Sequence, residues 1–399
     1  MSRPSLWTDF DCVSPDKTRV YLERSKSSPI DLWLYRGDDL YTRDPVLQVI
    51  PHAIGRLKSL RIDATTEYVE AISAHLSHPT PLLEKLSIFG GYNPVLTPTL
   101  FNGDLSSLRR LHLEYVRTEL PWRNMVNLTS FVLVHTASIS VGQFLDFFES
   151  APHLREIHLQ SDTSTSRAQH GRLVSLACLK MMHTGGCPYS LLFEHLLIPV
   201  GARLTMRMGP PSHSVEAVPP KFIDNLRNLS DFTSIRMDHG RMEFSGPNGE
   251  VVMVPQVYGT CLVFESLAPI DTSKTERLEI KCGEAPTSGP LSRALIPMNK
   301  LRTLILTRCK NLHNLIHALH PNMSSSEVVV CPRLEELVID HWETFAIENI
   351  VGMAAARASK GAELKTVRII ILLGAVYPQL DTSELEKHVS HVEFRHTRR

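Results

Sequence analysis

The stretch CLKMMHTGGC places Cys178, His183 and Cys187 close together, three residues of the types that bind zinc. A closed structural zinc site takes four ligands, usually with a tight Cys-x2-4-Cys pair. Here there are three candidates and no such pair, so the segment reads as ordinary strand and loop. His112 and His158 fall at the same phase of two similar phrases. A catalytic pair is one reading, but a solvated polar surface explains the same placement, and paired histidines of this kind are seldom catalytic. The glycines of GPNGEV follow a strand-like run, yet no Lys-Ser or Lys-Thr comes after them and no helix opens there, as a phosphate loop requires. Neither G-x-S-x-G nor H-E-x-x-H occurs. With no converging nucleophile and base, the expectation is a non-enzymatic protein with no catalytic residue, metal site or cofactor.

A recurring phrase positions these residues. LRTLILTRCKNL carries apolar residues at Leu301, Leu304, Leu306 and Leu312, with Cys309 between. The LxxLxL pattern returns in RLKSLRID, LLEKLSIFG, SLRRLHLEY, NLTSFVLVH, HLREIHLQS and SLACLKMMH, and later in DFTSIRMDH, RLEELVIDH and ELKTVRIII. Taking Leu60, Leu86, Leu111, Phe131, Ile157 and Leu179 as its centres, the intervals are about 26, 25, 20, 26 and 22 residues, the spacing of leucine-rich repeats. The LxL core is a strand of period two, so its apolar residues point one way and the intervening ones the other. One such strand cannot bury its apolar face alone, and stacked copies share a core. The expected fold is therefore α/β: an irregular leucine-rich-repeat solenoid, a horseshoe like that of ribonuclease inhibitor. It has a parallel sheet on the concave face and helices or extended segments on the convex face.

Crossover helices are legible in places. Ser140 with Gln143 three residues on is a capping-box pattern, with Phe144, Phe147 and Phe148 on one face and Pro152 beyond the end. TTEYVEAISAHLSHP offers Thr66 as a cap and Pro79 as a stop. YSLLFEHLLIP, TFAIENIVGMAAARASKG and PVLQVIPHAI are further candidates. After each strand, leucine-rich repeats turn an Asn or Cys inward to bond backbone. The equivalent positions here hold Thr65, Gly91, Val116, Thr136, Asp162, Thr184, Cys309 and Trp342, so the copies are irregular. RMEFSGPNGEVVMVP reads as a hairpin turning at Pro-Asn-Gly, inserted near residues 238–256. PPSHSVEAVPP, CGEAPTSGP, STSRAQHG and NMSSSE read as loops. PIDLWLY is the first strand, so the organisation is an N-terminal segment over 1–29 and a solenoid over 30–399.

Such a sheet leaves its outward residues free to vary, which makes the concave face the default binding surface. Alternation assigns to it Arg61, Asp63, Lys85, Phe89, Arg110, His112, Glu114, Glu156, His158, Gln160, Arg236, Asp238, Glu336 and Asp340. Both charge signs with an aromatic suit a protein partner. The 42 basic and 42 acidic residues balance, which argues against a nucleic-acid partner. The longest apolar run, VRIIILLGAV, is too short to span a bilayer, and MSRPSLWTDFDC has no apolar signal region. Seven cysteines at irregular spacings do not form a disulfide framework, so the expected compartment is reducing, cytoplasm or nucleus.

The segments PSLWTDFD (Pro4 to Asp11) and LERSKSSPIDLWL (Leu22 to Leu34), followed by irregular leucine-rich repeats and FSGPNGEV, resemble the fungal F-box-like family over nearly the whole chain. The resemblance implies the substrate-recognition part of a ubiquitin-ligase receptor. The family's F-box, a trihelical module that docks on a cullin-ligase adaptor, would precede Pro4 and is missing from this chain. Adaptor binding therefore falls on no residue here and is expected only of a full-length form carrying an F-box. A stand-alone scaffold or decoy is the alternative.

Overall fold

A computed structural model describes residues 3–11, 15–35, 51–91, 94–96, 100–103, 105–118, 124–136, 139–160, 163–164, 171–186, 190–208, 231–238, 241–255, 267, 270–281, 287–321, 329–341, 347–372 and 382–397. Asp162, Cys187, Trp342, the loop PPSHSVEAVPP, most of STSRAQHG, NMSSSE and CGEAPTSGP, and residues 45–50 of PVLQVIPHAI lie outside these ranges. The described residues build a mixed α/β structure dominated by parallel strands, in two compact units, Met1–Pro199 and Val200–Arg399.

In the first unit, eight strands run parallel in chain order: β1 (Asp9–Asp11), β2 (Ile30–Tyr35), β3 (Leu57–Ala64), β4 (Lys85–Gly90), β5 (Arg110–Glu114), β6 (Ser130–Val134), β7 (Glu156–Gln160) and β8 (Met181–Gly186). PIDLWLY, expected to be the first strand, is therefore the second, because Asp9–Asp11 from the N-terminal segment pairs with it. The period-two alternation decides which side each residue takes. Leu32, Leu60, Leu86, Leu111, Phe131, Ile157 and Met182 stand opposite one another in register, and each is at most 1% exposed. A tight turn enters most strands, closed where Leu83, Leu108, Leu128, Leu154 and Leu179 each donate their backbone N–H to the carbonyl three residues back. These leucines are buried as well, so the first leucine of the phrase turns inward before the strand begins.

One register differs from the sequence reading. Leu179 occupies the pre-strand position, Met182 the central one and Thr184 the last, while Met181 faces out and is 45% exposed. Two adjacent methionines left the phase ambiguous, and only the pairing with Ile157 resolves it. Thr184, assigned above to the post-strand turn, is thus a buried strand residue.

Helices cover the apolar side. α1 (Pro15–Ser25) precedes β2, α2 (Thr66–His75) follows β3, α3 (Val141–Ser150) follows β6, and α4 (Ser190–Phe193) is a single turn. In α3 the Ser140 hydroxyl accepts from the Gln143 backbone N–H at 3.2 Å, and the Gln143 side chain accepts from the Ser140 N–H at 2.9 Å. Its Phe147 ring packs 4.5 Å from Phe131 of β6. In α2 the N-cap is Thr65, one residue earlier than the sequence suggested, and its side chain makes no capping bond.

The second unit contains β9 (Arg203–Met208), β10 (Ser234–Asp238), β11 (Arg241–Gly246), β12 (Gly249–Pro255), β13 (Arg277–Lys281), β14 (Thr303–Thr307), β15 (Glu336–His341), β16 (Thr366–Leu372) and β17 (His391–Thr397). β11 and β12 form an antiparallel hairpin turning at Pro247 and Asn248; β11 also pairs antiparallel with β10, and β12 runs parallel to β9. Gly249 has φ +112°, a left-handed conformation that favours glycine. From β10 through β13 to β17 all pairings are parallel. α5 (Ser288–Leu295), α6 (Leu312–Leu319), α7 (Ile347–Ser359) and α8 (Ser383–Glu386) connect these strands.

Cys309 follows β14 and is 1% exposed, with its thiol 3.4 Å from the carbonyl of Ile280 on the neighbouring strand. Burying a polar backbone group without a partner is costly, and this thiol offers one. A common backbone device precedes it. Arg308, like Tyr115 and His135 in the first unit, has φ near +50° and donates its N–H to a carbonyl near the end of the next strand, Asp340, Val134 and Gln160 respectively. The residue after each, Cys309, Val116 or Thr136, is buried.

Candidate interaction surface

In the first unit, the side of the sheet away from the helices carries a row of large side chains. The alternation that buries Leu32, Leu60, Leu86 and Leu111 turns Trp33, Arg61, Phe89 and His112 outward. The Arg61 guanidinium lies 5.3 Å from the Trp33 ring centroid and 4.6 Å from that of Phe89. The Phe89 ring meets His112 edge-on at 4.6 Å. A cation and three rings thus interlock across four adjacent strands, β2 to β5. Each cation–π contact at an exposed site contributes about 0.5–1 kcal/mol, enough to hold Arg61 upright over the sheet. Trp33 and Tyr35 remain 51% and 67% exposed. Large aromatics usually bury most of their area, and Trp, Tyr and Arg are the residues most enriched at binding hot spots.

Charges frame the row. Asp63 lies 3.6 Å from Arg61, and Glu114 lies 3.6 Å from His112. Burial holds the His112 imidazole below its ordinary pKa; His158 and Arg61 push the same way, and Glu114 opposes them. Lys85 and Arg110 sit opposite each other at the strand starts, followed by Ser130 and Glu156. Arg110, His112 and Glu114 are separated from Glu156, His158 and Gln160 by β6 alone, with Val132 between the two histidines. Strands are about 4.8 Å apart, so the two sets lie roughly 10 Å from each other. Beyond them, His158 contacts the His183 ring at 4.5 Å. His183 therefore faces the open side, while Cys178 is exposed in the turn before β8. Among the described residues, no group of three or more His, Cys, Asp or Glu side chains could hold a metal ion.

In the second unit the outward positions are mostly engaged with one another. Arg236 pairs with Glu279 at 3.5 Å and Asp238 with Lys281 at 2.8 Å. Glu336 pairs with Arg368 at 3.3 Å and accepts from the Thr303 hydroxyl at 3.2 Å. Asp340 stands opposite Thr307, the last residue of β14, and its backbone carbonyl accepts the Arg308 N–H. Exposed ion pairs of this kind contribute little each, about 0–1 kcal/mol, and leave few charges unpaired. The ten outward residues expected in the first unit share one open face with Trp33 and Tyr35, which the expected set omits. The signal for these two was present, since PIDLWLY alternates as cleanly as any later strand.

No protein-family model matches the chain, and no curated protein matches it either. Among the described residues, no helix is long and apolar enough to cross a membrane.

Proposed function

We propose that this chain is an irregular leucine-rich-repeat solenoid that binds a partner protein on the open face of its sheet and performs no catalysis. The observation that carries the reading is the outward-facing Trp33–Arg61–Phe89–His112 row, half-buried beyond the exposed Trp33, with exposed Tyr35 beside it. A soluble protein gains nothing from presenting two such rings to water, whereas an interface core of aromatics and arginine ringed by charge is a common arrangement. The resemblance of PSLWTDFD and LERSKSSPIDLWL to the fungal F-box-like family supports a finer reading: the substrate-recognition part of a ubiquitin-ligase receptor, acting in the cytoplasm or nucleus. Adaptor contact would then belong to a form carrying an F-box.

Affinity capture from native extract, with the wild-type chain and a Trp33→Ala/Arg61→Ala variant, tests the face. Partner abundance after depletion of the protein tests the ligase link. A receptor predicts a partner recovered at much lower yield by the variant and accumulating on depletion. A scaffold or decoy predicts the same capture pattern with unchanged abundance. Equal recovery by a variant that melts normally would overturn the assignment of binding to this face.

A further inference from the structure

The strand-entry rim of the first unit holds a cavity of about 350 Å³, within the ordinary size range of ligand pockets. Its apolar wall is Pro29, Pro81 and Leu82, all three exposed, Leu82 by 44%. Lys58 of β3 lines it, with Glu84 just before β4 and Arg109 just before β5. Two backbone bonds of 2.8 Å set these three in a row: Glu84 N–H to the Lys58 carbonyl, and Arg109 N–H to the Glu84 carbonyl. Opposite charges on neighbouring strands are well placed to pair. Yet among the described residues none of these three side chains is in an ion pair. Lys85 and Arg110, the next residues along, are exposed beside the cavity and form no ion pair either. Four cations thus surround one carboxylate. Across the sheet Ser59 and Ser130 flank Lys85 and Arg110, and Asp31 and Glu156 follow one strand further out. The wall is braced. The Ser107 hydroxyl donates to the Pro81 carbonyl at 2.6 Å, and the Asn127 amide to the Ser106 carbonyl at 2.8 Å, tying successive turns together. A preformed wall spares a ligand the cost of ordering it.

We infer that this cavity takes an acidic peptide segment. An apolar side chain packs against Pro29, Pro81 and Leu82, and a carboxylate on either side of it meets Lys58 and Arg109. Strand spacing puts the backbones of Lys58 and Arg109 about 10 Å apart, and both side chains are long. In an extended peptide residues i, i+2 and i+4 share one face, and i to i+4 spans about 13 Å. The pattern Glu-x-Leu-x-Glu therefore presents two carboxylates with the apolar residue between them at a matching spacing. Glu84 opposes both carboxylates and is outnumbered by the four cations. Phosphate fits less well. A phosphoryl group carries a charge of about −1.5 to −2, which Glu84 repels more strongly. The N–H groups of Glu84, Arg109 and Arg110, which would cradle it, are spent on bonds to the neighbouring strand. The inference does not rest on the proposed function, because no residue of the aromatic row lines the cavity.

Fluorescence polarisation of a labelled peptide, Ser-Gly-Glu-Ser-Leu-Ser-Glu-Gly-Ser, against the whole chain at low salt tests it, with melting curves as the folding control. The wild type should bind this peptide, and less tightly as salt rises. It should not bind the version with lysine at both glutamate positions, and glycine in place of leucine should weaken binding about fivefold. These peptide changes need no protein variant to fold. Lys58→Glu and Arg109→Glu should each weaken binding about tenfold or more, and Glu84→Gln should tighten it. Glu67→Ala/His75→Ala, at exposed positions of α2, should leave it unchanged. Because the assay involves none of the aromatic row, a failure here leaves the proposed function standing, and the reverse holds as well. No binding at about 1 mM peptide would overturn the inference. So would equal binding of the lysine version, or folded Lys58→Glu and Arg109→Glu variants with unchanged affinity. Tighter binding with phosphoserine at both glutamate positions would overturn it too, and would assign the cavity to phosphate.

Discussion

Arg357, in the last turn of α7, has no exposed surface. Its guanidinium donates to the carbonyl of Val330 at 2.8 Å and to that of Cys331 at 2.7 Å, tying the helix to the turn that enters β15. Cys331 has φ +49°, and burial pushes its thiol up to about 12. Arg357→Leu takes the side-chain donor from the buried Val330 carbonyl and leaves the Cys331 carbonyl with the Leu334 N–H at 3.0 Å, so urea denaturation should show a loss of about 1–3 kcal/mol. An unchanged midpoint would mean the Val330 carbonyl finds another partner. Sequence could not reveal this role, because a lone arginine in IENIVGMAAARAS reads as a solvated position of an amphipathic helix. Cys309 was legible, because the repeat phrase assigns an inward role to that position. His112 belongs to the same scale. Its depressed pKa means the unfolded chain takes up a proton near 6.5 before the folded chain does. Stability is then intact above that pH and declines as pH falls from 6.5 towards the folded value. Wild type should lose more stability between pH 8 and pH 5 than His112→Gln, and parallel pH profiles for the two would contradict the shift.

Elements owe their positions to short-range devices of uneven legibility. The Ser140–Gln143 capping box was readable because its two residue types and their spacing are specific. Ser140→Ala should cost about 1 kcal/mol by thermal or denaturant melting. The turns at Tyr115, His135 and Arg308 were not readable, since bulky residues at positive φ contradict the usual glycine and asparagine cues. Tyr115 stacks on His135 at 4.8 Å, a tertiary contact that no local pattern encodes. In the hairpin, a Cβ on Gly246 would meet the Asp231 carbonyl at 2.5 Å and the Phe232 Cα at 2.7 Å, both backbone and unable to swing aside. Gly246→Ala should therefore destabilise by about 1–3 kcal/mol. A control at Gly55, where nothing lies within 4 Å, should cost no comparable amount.

At the scale of the whole molecule, the core follows from one repeated instruction. Apolar residues at every second strand position stand in register from strand to strand. In the second unit the column Ile235, Leu278, Leu304, Leu337 and Val367 is 0% exposed throughout. Leu304→Ala should cost about 2–5 kcal/mol. The phrase made this core readable where the spacing was regular and misled at Met181, where two similar side chains competed for one place. The thiols give a second whole-molecule expectation. Titrating the denatured chain without reductant should find all seven cysteines reactive, and sulfur that reacts only after reduction would contradict a reducing compartment.

The open face of the first unit is the central claim. The most direct measurement is the dissociation constant of the captured partner for three proteins: the wild type, Trp33→Ala/Arg61→Ala, and Glu67→Ala/His75→Ala, whose changes fall at exposed positions of α2. Removing a central aromatic and its arginine should weaken binding about tenfold or more, while the α2 variant should bind as the wild type does. A folded Trp33→Ala/Arg61→Ala protein with unchanged affinity, or a loss confined to the α2 variant, would contradict the account.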